Sequence, residues 1–252
     1  MITFEARVAE ALLHLAATSP VMRGVIAASG PSRLAPAWHQ SPFESLVRAV
    51  AHQQLQGKAA RAILDRFLAL FAPDPFPTPA DILAVDEAVL RGVGFSRNKI
   101  LAIRDVSEYA DDGNVPTREE PEALSEDELI GQLVTVRGVG RWTVEMLLIF
   151  ALGRLDVLPL DDFGLRKGIK NAFGLDTMPS KREMLELTEC WRPWRSIATW
   201  YMWRLVERAA RVRTPAVAPT MVAEPGPAPD EIARREEAAG ADSPPPPSGF
   251  RR

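Results

Sequence analysis

Residues 133–148, LVTVRGVGRWTVEMLL, set two apolar segments on either side of a Gly-Val-Gly turn and place Trp142 two residues past its second glycine. Glycine permits a tight reversal between helices packed at close range. It also leaves backbone N–H groups bare where the second helix begins. Such a helix start attracts anions through its free donors and its dipole, so it can bind a phosphate without a basic patch. Gly-x-Gly alone reads as an ordinary αα-hairpin closed by a glycine cap. The fuller pattern of Leu133, Val136, Gly138, Val139, Gly140 and Thr143 points to a helix-hairpin-helix contact with DNA. Further on, Pro159 precedes two adjacent acids, Asp161 and Asp162. On their own, these read as caps for a helix beginning at Phe163.

The surrounding elements read as helical almost throughout. An apolar stripe at helical spacing (Phe4, Val8, Leu12, Leu15) runs through 3–19. Ser41, with Pro42 in the first turn and Glu44 behind it, starts a helix expected to run to Leu55. Further helices are expected over 58–71, 80–85, 87–92, 97–109, 125–136, 141–152, 163–173, 180–190 and 193–211. Period-two alternation is scarce, so the fold class is all-α. RGVG occurs twice, at Arg91–Gly94 and Arg137–Gly140, but the flanks differ too much for an internal repeat. From Thr214 the composition turns to Pro, Ala and Glu and ends in SPPPPSGFRR. Residues 213–252 are expected to be a disordered tail, with at most a weak helix over 230–239.

Bulk composition excludes several classes. The chain has 252 residues and 46% hydrophobic residues, enough for a sizeable core. The single cysteine, Cys190, rules out an internal disulfide and any cysteine-held zinc or iron–sulfur site. His14, His39 and His52 lack metal-ligand spacing, so no catalytic transition metal is expected. A net charge of −3 argues against binding nucleic acid by bulk electrostatics, so any such binding must be local. No signal peptide and no membrane span is read, and a bacterial, cytoplasmic place is expected.

The segment LVTVRGVGRWTVEMLLIFALGRLDVLPLDDFGLRKG resembles the helix-hairpin-helix, Gly/Pro-rich, aspartate (HhH-GPD) superfamily of base-excision DNA glycosylases. The likeness extends upstream to SPFESLVRAVAHQQLQGKAA and GFSRNKILAI and downstream to CWRPWRSIATWYMWRL, covering roughly residues 40–210. These outer segments are similar to the 3-methyladenine DNA glycosylase II branch. The resemblance implies a two-lobed fold with the active cleft between the lobes. One lobe would be residues 41–152 and the other residues 1–40 with 153–212, together a glycosylase domain over 1–212.

The resemblance also assigns roles. Members that cut the DNA backbone carry a Lys where this chain has Trp142, so a monofunctional enzyme is implied. It would hydrolyse the N-glycosidic bond of alkylated purines, 3-methyladenine and 7-methylguanine, and leave an abasic site in double-stranded DNA. The implied catalytic residue is Asp162, with Asp161 as runner-up that caps the next helix instead. A flipped cationic base would meet the pocket residues Trp142, Trp203 and Met146. Met146 stands where the family has an aromatic. Trp191, Trp194 and Trp200 are expected in the core. The side chain filling the vacated stack would be Gln54, or Leu55 beside it. Gln53, Lys58, Gly138, Val139, Gly140, Arg141 and Thr143 complete the expected DNA contacts. Arg97 and Lys99 are equally phosphate ligands or solvated charges. No organic cofactor is implied; a structural Na⁺ or K⁺ could sit on the backbone of Val134, Val136 and Val139. A monomer is expected. The competing readings are a glycosylase for deaminated or etheno bases, a bifunctional glycosylase/lyase, and a non-catalytic module that binds damaged DNA.

Overall fold

The computed structural model describes residues 3–53, 57–117 and 124–213, without the side chains of 211–213. The expected wedge residues Gln54 and Leu55, and residues 214–252 of the tail expected over 213–252, lie outside the described residues; Arg213 closes a helix instead. Twelve α-helices and no strand are found among the described residues. They are α1 (Phe4–Thr18), α2 (Pro20–Ser29), α3 (Pro42–His52), α4 (Gly57–Ala69), α5 (Pro79–Ala84), α6 (Glu87–Gly92), α7 (Arg97–Asp111), α8 (Glu126–Leu133), α9 (Arg141–Phe150), α10 (Phe163–Phe173), α11 (Lys181–Thr188) and α12 (Arg195–Arg213), with a 3-10 turn at Glu189–Trp191.

The expected helices are present with shifted ends. The one expected to reach Leu55 stops at His52, because Gln53 turns extended at φ −53°, ψ 135°. The one expected to reach Val136 stops at Leu133, where Val134 and Thr135 tighten the last turn and the Thr135 hydroxyl donates to the Gln132 carbonyl at 2.6 Å. The helix expected over 180–190 ends at Thr188 and narrows into the 3-10 turn. Helix α2 is present in addition to the expected helices, and its sequence signals are orthodox. Ser19 caps it through its hydroxyl, Pro20 occupies the first turn and Gly30 stops it at φ 78°.

Helices α1, α2, α10 and α12 pack together, α3 packs on α4 and α7, and α5 packs on α7. Helix α9 lies against both α8 and α3. The expected core tryptophans Trp191, Trp194 and Trp200 are all buried. The Tyr201 hydroxyl donates to the Gly30 carbonyl at 2.9 Å and ties the end of α2 to α12. The loop from α9 to α10 is fixed by polar contacts with the start of α12. Arg195 grips Asp156 through two parallel bonds of 2.7 and 2.9 Å, a geometry suited to the planar guanidinium. Ser196 accepts the Val157 N–H at 2.9 Å and donates to the Arg154 carbonyl at 2.7 Å. This loop delivers Pro159, Asp161 and Asp162 to the start of α10.

Gly168 sets the distance between α10 and α12. A Cβ there would lie 2.6 Å from Met202 Cβ and 2.7 Å from the Met202 carbonyl oxygen. Backbone cannot yield as a flexible side chain does, so Gly168→Ala is expected to force the helices apart. The cost should be about 1–3 kcal/mol, read as a lower midpoint in thermal or urea unfolding.

Candidate active site

Asp162 is the N-cap of α10, and its carboxylate accepts three N–H bonds from three elements. Oδ1 accepts the backbone N–H of Leu165 at 2.6 Å and the indole N–H of Trp203 on α12 at 2.7 Å. Oδ2 accepts the indole N–H of Trp142 on α9 at 2.8 Å. The cap role expected of Asp161 therefore belongs to Asp162. Asp161 points elsewhere and forms an ion pair with Lys181 of α11.

The indoles are themselves held. Trp203 stacks on Phe150, with centroids 5.7 Å apart and planes 18° from parallel. Its Cδ1–Nε1 edge lies against Gly164, where a Cβ would come within 2.9 Å of Cδ1. Trp142, Met146 and Phe150 recur every four residues and share one face of α9. Phe150 and Gly164 escaped sequence analysis. The spacing after Met146 could have shown the first; only the packing of Trp203 shows the second.

The hairpin between α8 and α9 is also braced. The Arg137 N–H donates to Asp105 of α7 at 2.7 Å. Gly138 has φ 76°, a left-handed conformation, and a Cβ there would lie 2.7 Å from Ala102 Cβ. Gly140 caps α9 with no side chain, so no cap group occupies its first N–H donors. The other RGVG turn differs. There Ser96 caps α7, and Arg66 donates to the Val93 carbonyl at 2.9 Å. The second turn thus has the anion-binding form and the first does not.

Some expected DNA contacts are placed differently. Gln53 donates its amide to the Gly138 carbonyl at 2.8 Å, so it links the end of α3 to the hairpin. Lys99 is half-buried rather than a freely solvated charge. Its ammonium donates to the Ala51 carbonyl at the end of α3, and burial pulls its pKa down to about 8. Thr143 is buried, as is Val139. Lys58 and Arg97 are exposed, and Arg141 is half-exposed.

Glu145, a carboxyl inside the apolar run RWTVEMLLIF, is a further buried group that the sequence pattern did not single out. It is 1% exposed. Oε1 accepts from Arg141 Nε at 3.0 Å, and Oε2 is buried with no hydrogen-bond partner. Burial pushes its pKa up to about 7; Arg141 opposes the shift, and the charges of Asp161 and Asp162 add to it.

Similarity to known proteins agrees with this geometry. Residues 47–193 match the HhH-GPD superfamily of base excision DNA repair proteins. The chain belongs to this superfamily. It is 45% identical over 165 residues to DNA-3-methyladenine glycosylase 1 of Schizosaccharomyces pombe, covering 66% of this chain and 72% of that protein. The structure of the 3-methyladenine DNA glycosylase of that yeast with abasic DNA aligns with a TM-score of 0.68 at 40% identity, over 77% of this chain and 95% of that one. A DNA-3-methyladenine glycosidase from Bacillus halodurans aligns with a TM-score of 0.71 at 32% identity, over 79% and 89%.

Glu145 makes stability depend on pH. The folded protein keeps a proton on this carboxyl up to about pH 7, whereas the unfolded chain releases it near 4.5. The folded state therefore binds more protons in that window, and stability falls as pH rises through it. Glu145→Gln removes this term. Its unfolding midpoint should match wild type near pH 4 and exceed it at pH 8, by on the order of 2–3 kcal/mol.

Proposed function

We propose that this protein is a monofunctional base-excision DNA glycosylase that acts on alkylated purines in double-stranded DNA, 3-methyladenine and 7-methylguanine among them, and leaves an abasic site. The observation that carries the reading is the buried carboxylate of Asp162, clamped by the indoles of Trp142 and Trp203. The names of the relatives agree with it.

The chemistry follows from the substrate. Alkylation at a ring nitrogen makes the purine cationic and a good leaving group. The C1′–N bond breaks, its electron pair neutralises the base, and positive charge develops on the sugar. Asp162 lies where that charge forms and stabilises it without having to reorient, because three N–H bonds already fix its plane. Water then adds to C1′ from the open side, and its proton leaves to Asp162 or solvent. The base must be flipped out of the duplex to reach the site. Trp142, Met146 and Trp203 offer it polarisable and aromatic faces, which attract a cation. At the position of Trp142 an indole offers no amine for a Schiff base, so the strand stays intact.

In this reading the hairpin holds a phosphate on the N–H groups of Gly138, Gly140 and Arg141, and the two lobes close on the DNA from either side. A Na⁺ or K⁺ on the carbonyls of Val134, Val136 and Val139 would add positive charge beneath that phosphate. The Val136 carbonyl accepts the Val139 N–H at 3.1 Å, which leaves its second lone pair for such an ion. No helix among the described residues is long and apolar enough to cross a membrane. A monomer in the bacterial cytoplasm, drawn to the nucleoid by its substrate, fits this activity.

The test is incubation with methylated duplex DNA and chromatography of the freed bases, with Asp162→Asn in parallel. Release of 3-methyladenine or 7-methylguanine is expected, with strand breaks only after alkali and a loss in the variant of at least about a hundredfold. Binding to the duplex without release of either base would overturn the alkyl-purine reading.

A further inference from the structure

A nucleotide brought to Asp162 brings more than its base. The sugar is bonded through its 3′ and 5′ oxygens to two phosphates, so two negative charges arrive beside the site. Two carboxylates, Asp161 and Asp162, already stand there. The backbone donors of the hairpin belong to the start of α9. On the side of α10 and α11, the repulsion has to be offset by other groups.

Two lysines flank the segment 161–163. Lys181, the first residue of α11, sets its ammonium against Asp161 Oδ1 at 2.5 Å. Lys167, one turn after Phe163 on α10, sets its ammonium over the Phe163 ring, 5.4 Å from the centroid. One cation thus borders the residue before Asp162, and the other borders the residue after it. The position of Lys181 is built into the fold. Arg166 of α10 donates through Nε and Nη2 to the Pro179 carbonyl at 3.3 and 3.1 Å, and Ser180 then caps α11. Neither lysine is saturated by its partner. An ammonium has three N–H donors; Lys181 directs one to Asp161 and its side chain stays 59% exposed. Lys167 makes no hydrogen bond or ion pair among the described residues. Nearby arginines are engaged, Arg141 with Glu145 at 3.0 Å and Arg182 with Glu186 at 2.8 Å. A surface ion pair such as Lys181 with Asp161 adds little stability, so stability does not account for the placement.

We propose that Lys167 and Lys181 are ligands for the backbone phosphates that flank the extruded nucleotide. The inference rests on the glycosylase reading. Each ammonium donates to a non-bridging phosphate oxygen. Lys181 keeps Asp161 on one donor and offers the others, so its ion pair survives the arrival of DNA. Contacts of this kind carry no preference for the base. They fix the sugar of the damaged nucleotide against Asp162.

The test is the affinity for a duplex with one tetrahydrofuran abasic analogue, measured from about 50 to about 300 mM KCl. Base release from methylated duplex is measured in parallel. Each lost phosphate contact lowers the slope of log affinity against log salt by about 0.9. Lys167→Gln and Lys181→Gln should each show that loss and bind about threefold more weakly or worse at about 100 mM KCl. The double variant should lose about 1.8, and Lys181→Arg should keep the slope of wild type. Asp161→Asn separates a phosphate contact from simple neutralisation of Asp161. In that background Lys181→Gln should still lose about 0.9. An active wild type whose slope is unmoved by either glutamine substitution, or a Lys181→Gln variant restored by Asp161→Asn, overturns the proposal alone. A wild type that neither binds the duplex nor releases a base overturns the glycosylase reading and this inference with it.

Discussion

The site depends on one interaction, the clamping of a single carboxylate by N–H donors from three separate helices. Asp162 opens α10 and satisfies one of its first N–H groups, as any good cap does. The same two oxygens also receive indoles from α9 and α12. A carboxylate this tightly held cannot rotate to suit a substrate. It is fixed before a substrate arrives, which is the condition for stabilising a charge that exists only in the transition state. The rest of the molecule secures the three donors. Arg195 and Ser196 anchor the loop that leads to Asp162, Gly168 lets α10 approach α12, and Phe150 with Gly164 flattens Trp203 against its place.

DNA contact is arranged with similarly little charge. The chain carries a net −3, so the hairpin cannot rely on a general positive field. It offers backbone donors at a helix start with no side-chain cap instead, and Gly138 of the turn is fixed by a close contact. A Cβ at Gly138 would have no room beside Ala102. Gln53 joins the end of α3 to the carbonyl of this same glycine, and Lys99 caps α3 from below. The end of α3 and the hairpin turn are thus mechanically connected.

Much of this was legible in the sequence, for identifiable reasons. Caps and helix periodicity are local, so α3, α7, α8, α10 and α11 declare themselves through Ser41, Ser96, Ser125, Asp162 and Ser180. The hairpin and the Asp161–Asp162 pair stand in one short segment. What was not legible depends on partners distant in sequence. Nothing in Gly164 announces an indole thirty-nine residues later that needs its missing Cβ. Lys99 has the composition of a surface residue, and only the fold turns it inward to Ala51. Glu145 was visible as an acid among apolar neighbours, but helical spacing alone does not say that its second oxygen is unpaired. The omission of α2 has no such excuse, since Ser19, Pro20 and Gly30 mark both of its ends.

The most direct test of the clamp is the single-turnover excision rate of Trp203→Phe, measured beside its affinity for the same methylated duplex. Phenylalanine keeps an aromatic ring at this position and removes the pyrrole half of the indole, and with it the N–H that reaches Asp162. The expected result is a rate lower by about ten- to a hundredfold, with a smaller loss of DNA affinity. A variant that binds and excises as fast as wild type would show that the carboxylate does not need this donor, and would contradict the account at its centre.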